Sequence, residues 1–159
     1  TDIPLNDQGR RQARALRALL APLGISQIVS SDLKRASETA RIIAEHLQVP
    51  IAFDARLREC RYGRLEGLTR AEIRAMLPGE QWRTFAQMDG NPRTYDFRHH
   101  GGEDSSGVLT RHLDLFRHCG VQYRGRMLLV GHGKGLNTLL AELCPPPNLA
   151  VGEFRAFSF

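Results

Sequence analysis

The 159-residue sequence has no apolar run longer than a few residues, far short of the ~20 needed to cross a bilayer. Neither a membrane span nor a secretory leader is expected. Cysteine is scarce: Cys60, Cys119 and Cys144 lie far apart, odd in number and without a CxxC pair. That excludes a disulfide framework. A reduced, cytoplasmic setting is expected, with each cysteine acting as a small buried hydrophobe. Lysine is nearly missing. Only Lys34 and Lys134 occur, and arginine supplies the rest of the 22 basic residues, which outnumber 17 acidic ones for a net charge of +5. Arginine's planar fork suits phosphate or carboxylate, but the excess is attributed first to a compositional bias of the source genome. The arginines form no tail or stripe and aromatics reach only 7%, so no nucleic-acid surface is indicated.

What is present fits one soluble domain over residues 1–159. Hydrophobic residues at 42% and charged residues at 25% match globular averages. A chain of this size buries about 70% of its unfolded surface, enough for an unstapled core. The pattern predicts a helix capped by Asn6 and running to about Leu20, then a buried strand at Ile25–Ser30. A second helix, capped by Ser31 or Asp32, should run to about Leu47, with a strand at Ile51–Phe53. Glycines, prolines and scattered arginines break the periodicity over 60–102, predicting an inserted lobe with short helices near 69–76 and 80–88. A helix over 103–118, a strand at Met127–Val130, a helix ending near Cys144 and a last strand over 153–159 complete the pattern. Helices alternating with buried strands indicate an α/β layered fold with a partly parallel sheet.

Ligands in such folds bind beyond the carboxyl ends of the strands. Two strand–turn–helix junctions stand out, Val29-Ser30-Ser31-Asp32-Leu33-Lys34-Arg35 and Leu129-Val130-Gly131-His132-Gly133-Lys134-Gly135. Each offers N–H groups at a helix start, where an anion is favoured. The second fails the Walker pattern, because Gly135 follows Lys134 and position 128 is not glycine; it fails GxGxxG at Leu136. A histidine between glycines at a strand end remains.

Five blocks run in one order: Asp2-x-Pro4-Leu5-x-x-x-Gly9-x-x-Gln12-Ala13; Ser30-Ser31-Asp32-Leu33-x-Arg35-Ala36-x-x-Thr39-Ala40; Arg56-Leu57-Arg58-Glu59-x-x-Tyr62-Gly63-x-x-Glu66-Gly67; Gly101-Gly102-Glu103; and Val130-x-His132-Gly133. Together they resemble the histidine phosphatase superfamily, the phosphoglycerate mutase-like family, over essentially the whole chain. The resemblance implies a three-layer α/β/α sandwich with a small inserted lobe. It also implies hydrolysis of small phosphate monoesters through a phosphohistidine, with no metal and no cofactor. Arg35 then binds phosphate, His132 holds phosphoryl oxygens without being the nucleophile, and Glu59 is the proton donor. Arg61 and Tyr62 would line the substrate side. On the residues alone, Arg35 reads as a solvent-facing helix arginine and Glu59 as a surface carboxylate paired with Arg56 or Arg58. Asp32 and Glu38 read as a helix cap and a solvated face. Glu103 belongs near the pocket or simply starts a helix.

There are departures from the family pattern. Lys134 stands where a small or polar residue is common, Asn137 where arginine is common and Asp104 where serine is usual. No Arg-His-Gly occurs anywhere, although in the family that motif carries the nucleophile on a strand preceding Asp2-x-Pro4-Leu5. The expectation is that this strand is missing from the sequence, which begins with Thr1. Arg98-His99-His100-Gly101 has no apolar strand leading into it and is not a replacement. The rival readings are a phosphoglycerate mutase-type phosphotransferase, a non-catalytic binder of phosphorylated ligands, and a phosphohistidine protein phosphatase. A small phosphorylated substrate is the expected partner, and no oligomeric state is assigned.

Overall fold

The computed structural model of the chain describes residues 1–87 and 96–143. Among them, β1 (Ile25–Ser30), β2 (Ile51–Phe53) and β3 (Arg126–Val130) form a parallel sheet in the order β2-β1-β3. Ile28 pairs with both Ile51 and Leu128, which sets one register across the sheet. Because side chains alternate along a strand, neighbouring residues serve opposite faces. Ile28 and Val130 pack with α1 (Asp7–Leu20) and α2 (Lys34–Leu47) through Leu20, Ala40 and Ile43. Val29 and Leu129 pack on the other face with Leu115 and Cys119 of α5 (Ser105–Gln122) and Leu136 of α6 (Gly133–Leu143). The result is the expected α/β/α layering. The expected last strand over 153–159 and the expected helix end at Cys144 lie outside the described residues.

Local signals explain most boundaries. The Asn6 side chain accepts the Gly9 N–H at 2.8 Å and starts α1. Asp104 accepts the Gly107 N–H at 2.8 Å, so it caps α5 as the more usual serine would, two residues later than the predicted start. The predicted cap of α2 is corrected. The helix begins at Lys34 with no capping bond from the residue before it, and the Asp2 carboxylate accepts the Lys34 N–H at 2.7 Å instead. Asp32 is held by the Arg58 guanidinium, and the Ser31 hydroxyl accepts the Leu33 N–H at 3.3 Å. Glu38 is not on a solvated face either: it takes the Leu5 N–H at 3.3 Å and Arg10 at 3.0 Å, joining α1 to α2.

Between β2 and α5 the chain forms α3 (Arg70–Met76) and α4 (Gly79–Ala86), close to the two predicted short helices. Their core joins Leu65, Ile73, Leu77 and Phe97 to Cys60 and to Val108 of α5, with the Tyr62 and Phe97 rings edge-to-face at 4.7 Å. Gly63 is the tight point. Its φ is +61°, and a Cβ there would stand 1.9 Å from the His100 carbonyl oxygen. Backbone must move to admit it, so Gly63→Ala is expected to cost about 3 kcal/mol. For a chain of this length that lowers the melting midpoint by roughly 10 °C. Thermal unfolding followed by circular dichroism checks this, and a midpoint matching wild type would show that the turn relaxes freely.

Candidate active site

β1 and β3 run in the same direction, so Ser31 and His132 leave the sheet side by side. The Ser31 N–H donates to the Val130 carbonyl at 2.8 Å and extends the pairing one residue past β1. His132 is 5% exposed, and its Nε2 lies 2.9 Å from the Ser31 hydroxyl. When Ser31 donates to Nε2, the imidazole carries its proton on Nδ1. Burial is the main cause that lowers the His132 pKa to about 3, with Arg35 and Arg111 adding to it. The ring is therefore neutral at physiological pH.

Arg35 in the first turn of α2, His132 at the end of β3 and Glu59 beyond β2 line one cavity of about 720 Å³, along with residues of α1. Arg35 donates to the Thr1 carbonyl at 3.1 Å. It also lines an adjoining cavity of about 430 Å³ with Tyr62, Leu65 and Phe85, so it stands between the strand ends and the lobe. Glu59 pairs with neither Arg56 nor Arg58. Arg56 is taken by Asp54 and Asp114, and Arg58 by Asp32. One Glu59 carboxylate oxygen accepts the Cys60 N–H at 2.9 Å. Burial raises the Glu59 pKa, opposed by that bond and then by the charges of Arg35, Lys134 and Arg111. A carboxyl with a raised pKa, a neutral imidazole and a guanidinium thus face one space. That combination can bind a phosphoryl group and protonate a leaving oxygen.

A profile of the histidine phosphatase superfamily (branch 1) matches residues 1–158. The chain belongs to this superfamily. Glucosyl-3-phosphoglycerate phosphatase of Mycolicibacterium vanbaalenii is 34% identical over 156 residues, covering 92% of this chain and 65% of that protein. A probable phosphoglycerate mutase of Salmonella paratyphi B is 35% identical, covering 98% of this chain and 70% of the other. The chain therefore spans about two thirds of the length of these relatives. Among solved structures, a mycobacterial glucosyl-3-phosphoglycerate phosphatase superposes with a TM-score of 0.78 at 32% identity, covering 95% of this chain and 72% of that one. YhfR of Bacillus stearothermophilus superposes at 0.79, also at 32% identity, covering 95% of this chain and 76% of its own.

Not every residue singled out in this histidine phosphatase-like chain meets in the cavity. Arg61 is exposed, 3.9 Å from Glu103, and lines neither cavity. Tyr62 lines only the lobe-side one, and burial raises its pKa. His99 is exposed, while His100 is buried and accepts from Arg64 at 3.2 Å; neither lines either of these two cavities. Lys134 turns inward. Its Nζ sits 4.4 Å from the Phe97 ring centroid and 6.0 Å from that of Tyr62, buried and without a hydrogen-bond partner among the described residues. Burial lowers its pKa. Cys60, beside Glu59, is pushed up to about 11 by burial, which makes it an inert thiol. Among the described residues, no three His, Cys, Asp or Glu side chains are grouped to hold a metal, and no helix is long and apolar enough to span a membrane.

Two residues outside the cavity lining, whose charges act on Glu59 and His132, gave no signal in the sequence. Arg111 reaches back from α5 to the backbone carrying Glu59. His112, 1% exposed, lies against Gly135, where a Cβ would be 2.5 Å from its Nε2. An arginine and a histidine on a helix look ordinary until the facing backbone is known.

Proposed function

We propose that this protein is a phosphomonoesterase acting on small phosphate esters through a phosphohistidine. Arg35 and the neutral His132 hold the phosphoryl oxygens, and Glu59 protonates the departing alkoxide and then helps water attack the phosphohistidine. The observation that carries the reading is the shared cavity, which brings Arg35, His132 and Glu59 together at the strand ends. The family resemblance assigns the nucleophile to an Arg-His-Gly histidine, a motif that these 159 residues do not contain. Tyr62 meets the ester group beyond the phosphate, a reading supported by the cavity that it lines together with Arg35. The names of the relatives suggest a phosphorylated glycerate skeleton as the substrate class.

The test is hydrolysis of small phosphate monoesters by the full-length protein, with phosphate release and phosphoglycerate isomerisation measured side by side. Release without isomerisation is expected. Arg35→Ala should lower kcat/KM by ~10²–10³, the scale for losing one preorganised group on developing charge. Binding of inorganic phosphate with no turnover of any ester would replace this reading with the non-catalytic one.

A further inference from the structure

Glu59 can act as an acid only if its carboxyl stands at the leaving oxygen, yet it sits on irregular backbone after β2. No ladder hydrogen bonds fix that stretch. Turn bonds from the Leu57 N–H to Asp54 and the Arg58 N–H to Ala55, with Leu57 and Cys60 buried, hold its start, and a side chain from α5 ties it together up to Glu59. The Arg111 guanidinium donates to the carbonyls of Arg56 at 2.5 Å, Arg58 at 2.6 Å and Glu59 at 3.2 Å. The same guanidinium is gripped by the Glu103 carboxylate through bonds of 3.3 and 3.2 Å. Glu103 also binds the far side of Glu59. Its carboxylate accepts the Arg61 N–H at 3.0 Å, and its own N–H donates to the Arg61 carbonyl at 2.9 Å. Both side chains are mostly buried, 18% and 17% exposed. Neither lines the cavity.

We propose that Arg111, oriented by Glu103, is the positioning residue for Glu59, locking residues 56–61 so that the acid's Cα is fixed and only its side-chain torsions remain free. This rests on Glu59 being the proton donor. Arginine is suited to the task because its rigid fork can meet three carbonyls and a carboxylate at once; a lysine ammonium cannot match that planar geometry. The pair touches no substrate and acts through the backbone. A shift of about 1 Å in a catalytic group can cost ~10²-fold in rate, and this is the effect the clamp prevents.

The experiment compares an alkyl phosphate with an activated aryl phosphate, using the full-length protein and the variants Arg111→Met, Arg111→Lys, Glu103→Gln and Glu59→Gln. Arg111→Met should lose ~10²-fold in kcat on the alkyl ester and about threefold or less on the aryl ester, whose leaving group needs little protonation. Arg111→Lys should recover only part of the loss. Added to Glu59→Gln, Arg111→Met should cause almost no further loss on the alkyl ester, since the two substitutions remove the same function. Equal losses on both esters, or the same fold-loss in the Glu59→Gln background, would overturn the proposal. Should Arg111→Met fail to fold, Glu103→Gln, which removes charge but keeps an acceptor, is judged by the same criteria. A Glu59→Gln variant indifferent to the leaving group would remove the acid assignment and the clamp together. A selective Glu59→Gln beside unselective Arg111 and Glu103 variants would remove the clamp alone.

Discussion

Glu59→Gln in the full-length protein is expected to cut turnover of alkyl phosphates by ~10²–10⁴, the usual scale for a general acid. The structure explains why this side chain suits the role. Burial favours its protonated form, and neither Arg56 nor Arg58 is available to hold it ionised. Glutamine keeps the size and the acceptor oxygen for the Cys60 N–H, so the fold should tolerate the change. It cannot release a proton to an alkoxide. An activated aryl phosphate should therefore suffer much less. Steady-state rates on the two ester types decide it: equal losses would mean that Glu59 is needed for shape and not for its proton.

Acid should destabilise the protein through its buried histidines. The pKa of His112 is lowered to about 4 and that of His132 to about 3, in each case chiefly by burial. Both rings are neutral in the folded state, whereas in the unfolded chain they take up protons near the ordinary value of about 6.5. Above that value neither state binds the proton and the folded state bears no penalty. As pH falls from about 6.5 toward 4, the unfolded chain binds more protons and stability drops by up to about 1.4 kcal/mol per pH unit for each ring. The combined loss by pH 4 is on the order of 5 kcal/mol, which is much of the stability of an ordinary domain. The lowered carboxylates Asp32 and Asp54 push in the same direction, and Glu59, whose pKa is raised, pushes the other way. Urea unfolding at pH 7, 5.5 and 4.5 measures the slope. His112→Leu should reduce the uptake by about one proton. Stability independent of pH between 6.5 and 4.5 would show that these rings take up protons without unfolding.

The strands and helices were legible because each obeys a local rule. Ile25–Ser30 and Arg126–Val130 are short apolar runs bounded by turns, and α1 announces itself through Asn6. The start of α2 was misread because its cap comes from Asp2, more than thirty residues upstream, which no local window can see. The same divide runs through the site. Arg35, Glu59 and His132 were legible because they stand within recognisable family blocks. Arg61 fell outside both cavities because its side chain turns to solvent beside Glu103 while the next residue turns inward. Lys134 was legible as a departure, but its direction was not, since the aromatic faces that receive it come from Tyr62 and Phe97. Arg111 was invisible for a similar reason: its partners are carbonyl groups, which every residue has.

β1 pairs with β3 in a register that joins Ile28 to Leu128, a hundred residues downstream. On the ribosome, at ~5–20 residues per second, β1 would wait roughly 5–20 s for this neighbour to be made. Its open side is a row of unpaired amide groups beside Ile28 and Val29, a surface prone to pair with other chains. Closing so long a loop is also entropically slow, so the rate of folding should depend more on this pairing than on the early helices. Ser31 and His132 come together only when it forms. Phosphate affinity during refolding would therefore appear late, with the completed sheet, and can serve as a clock for that step.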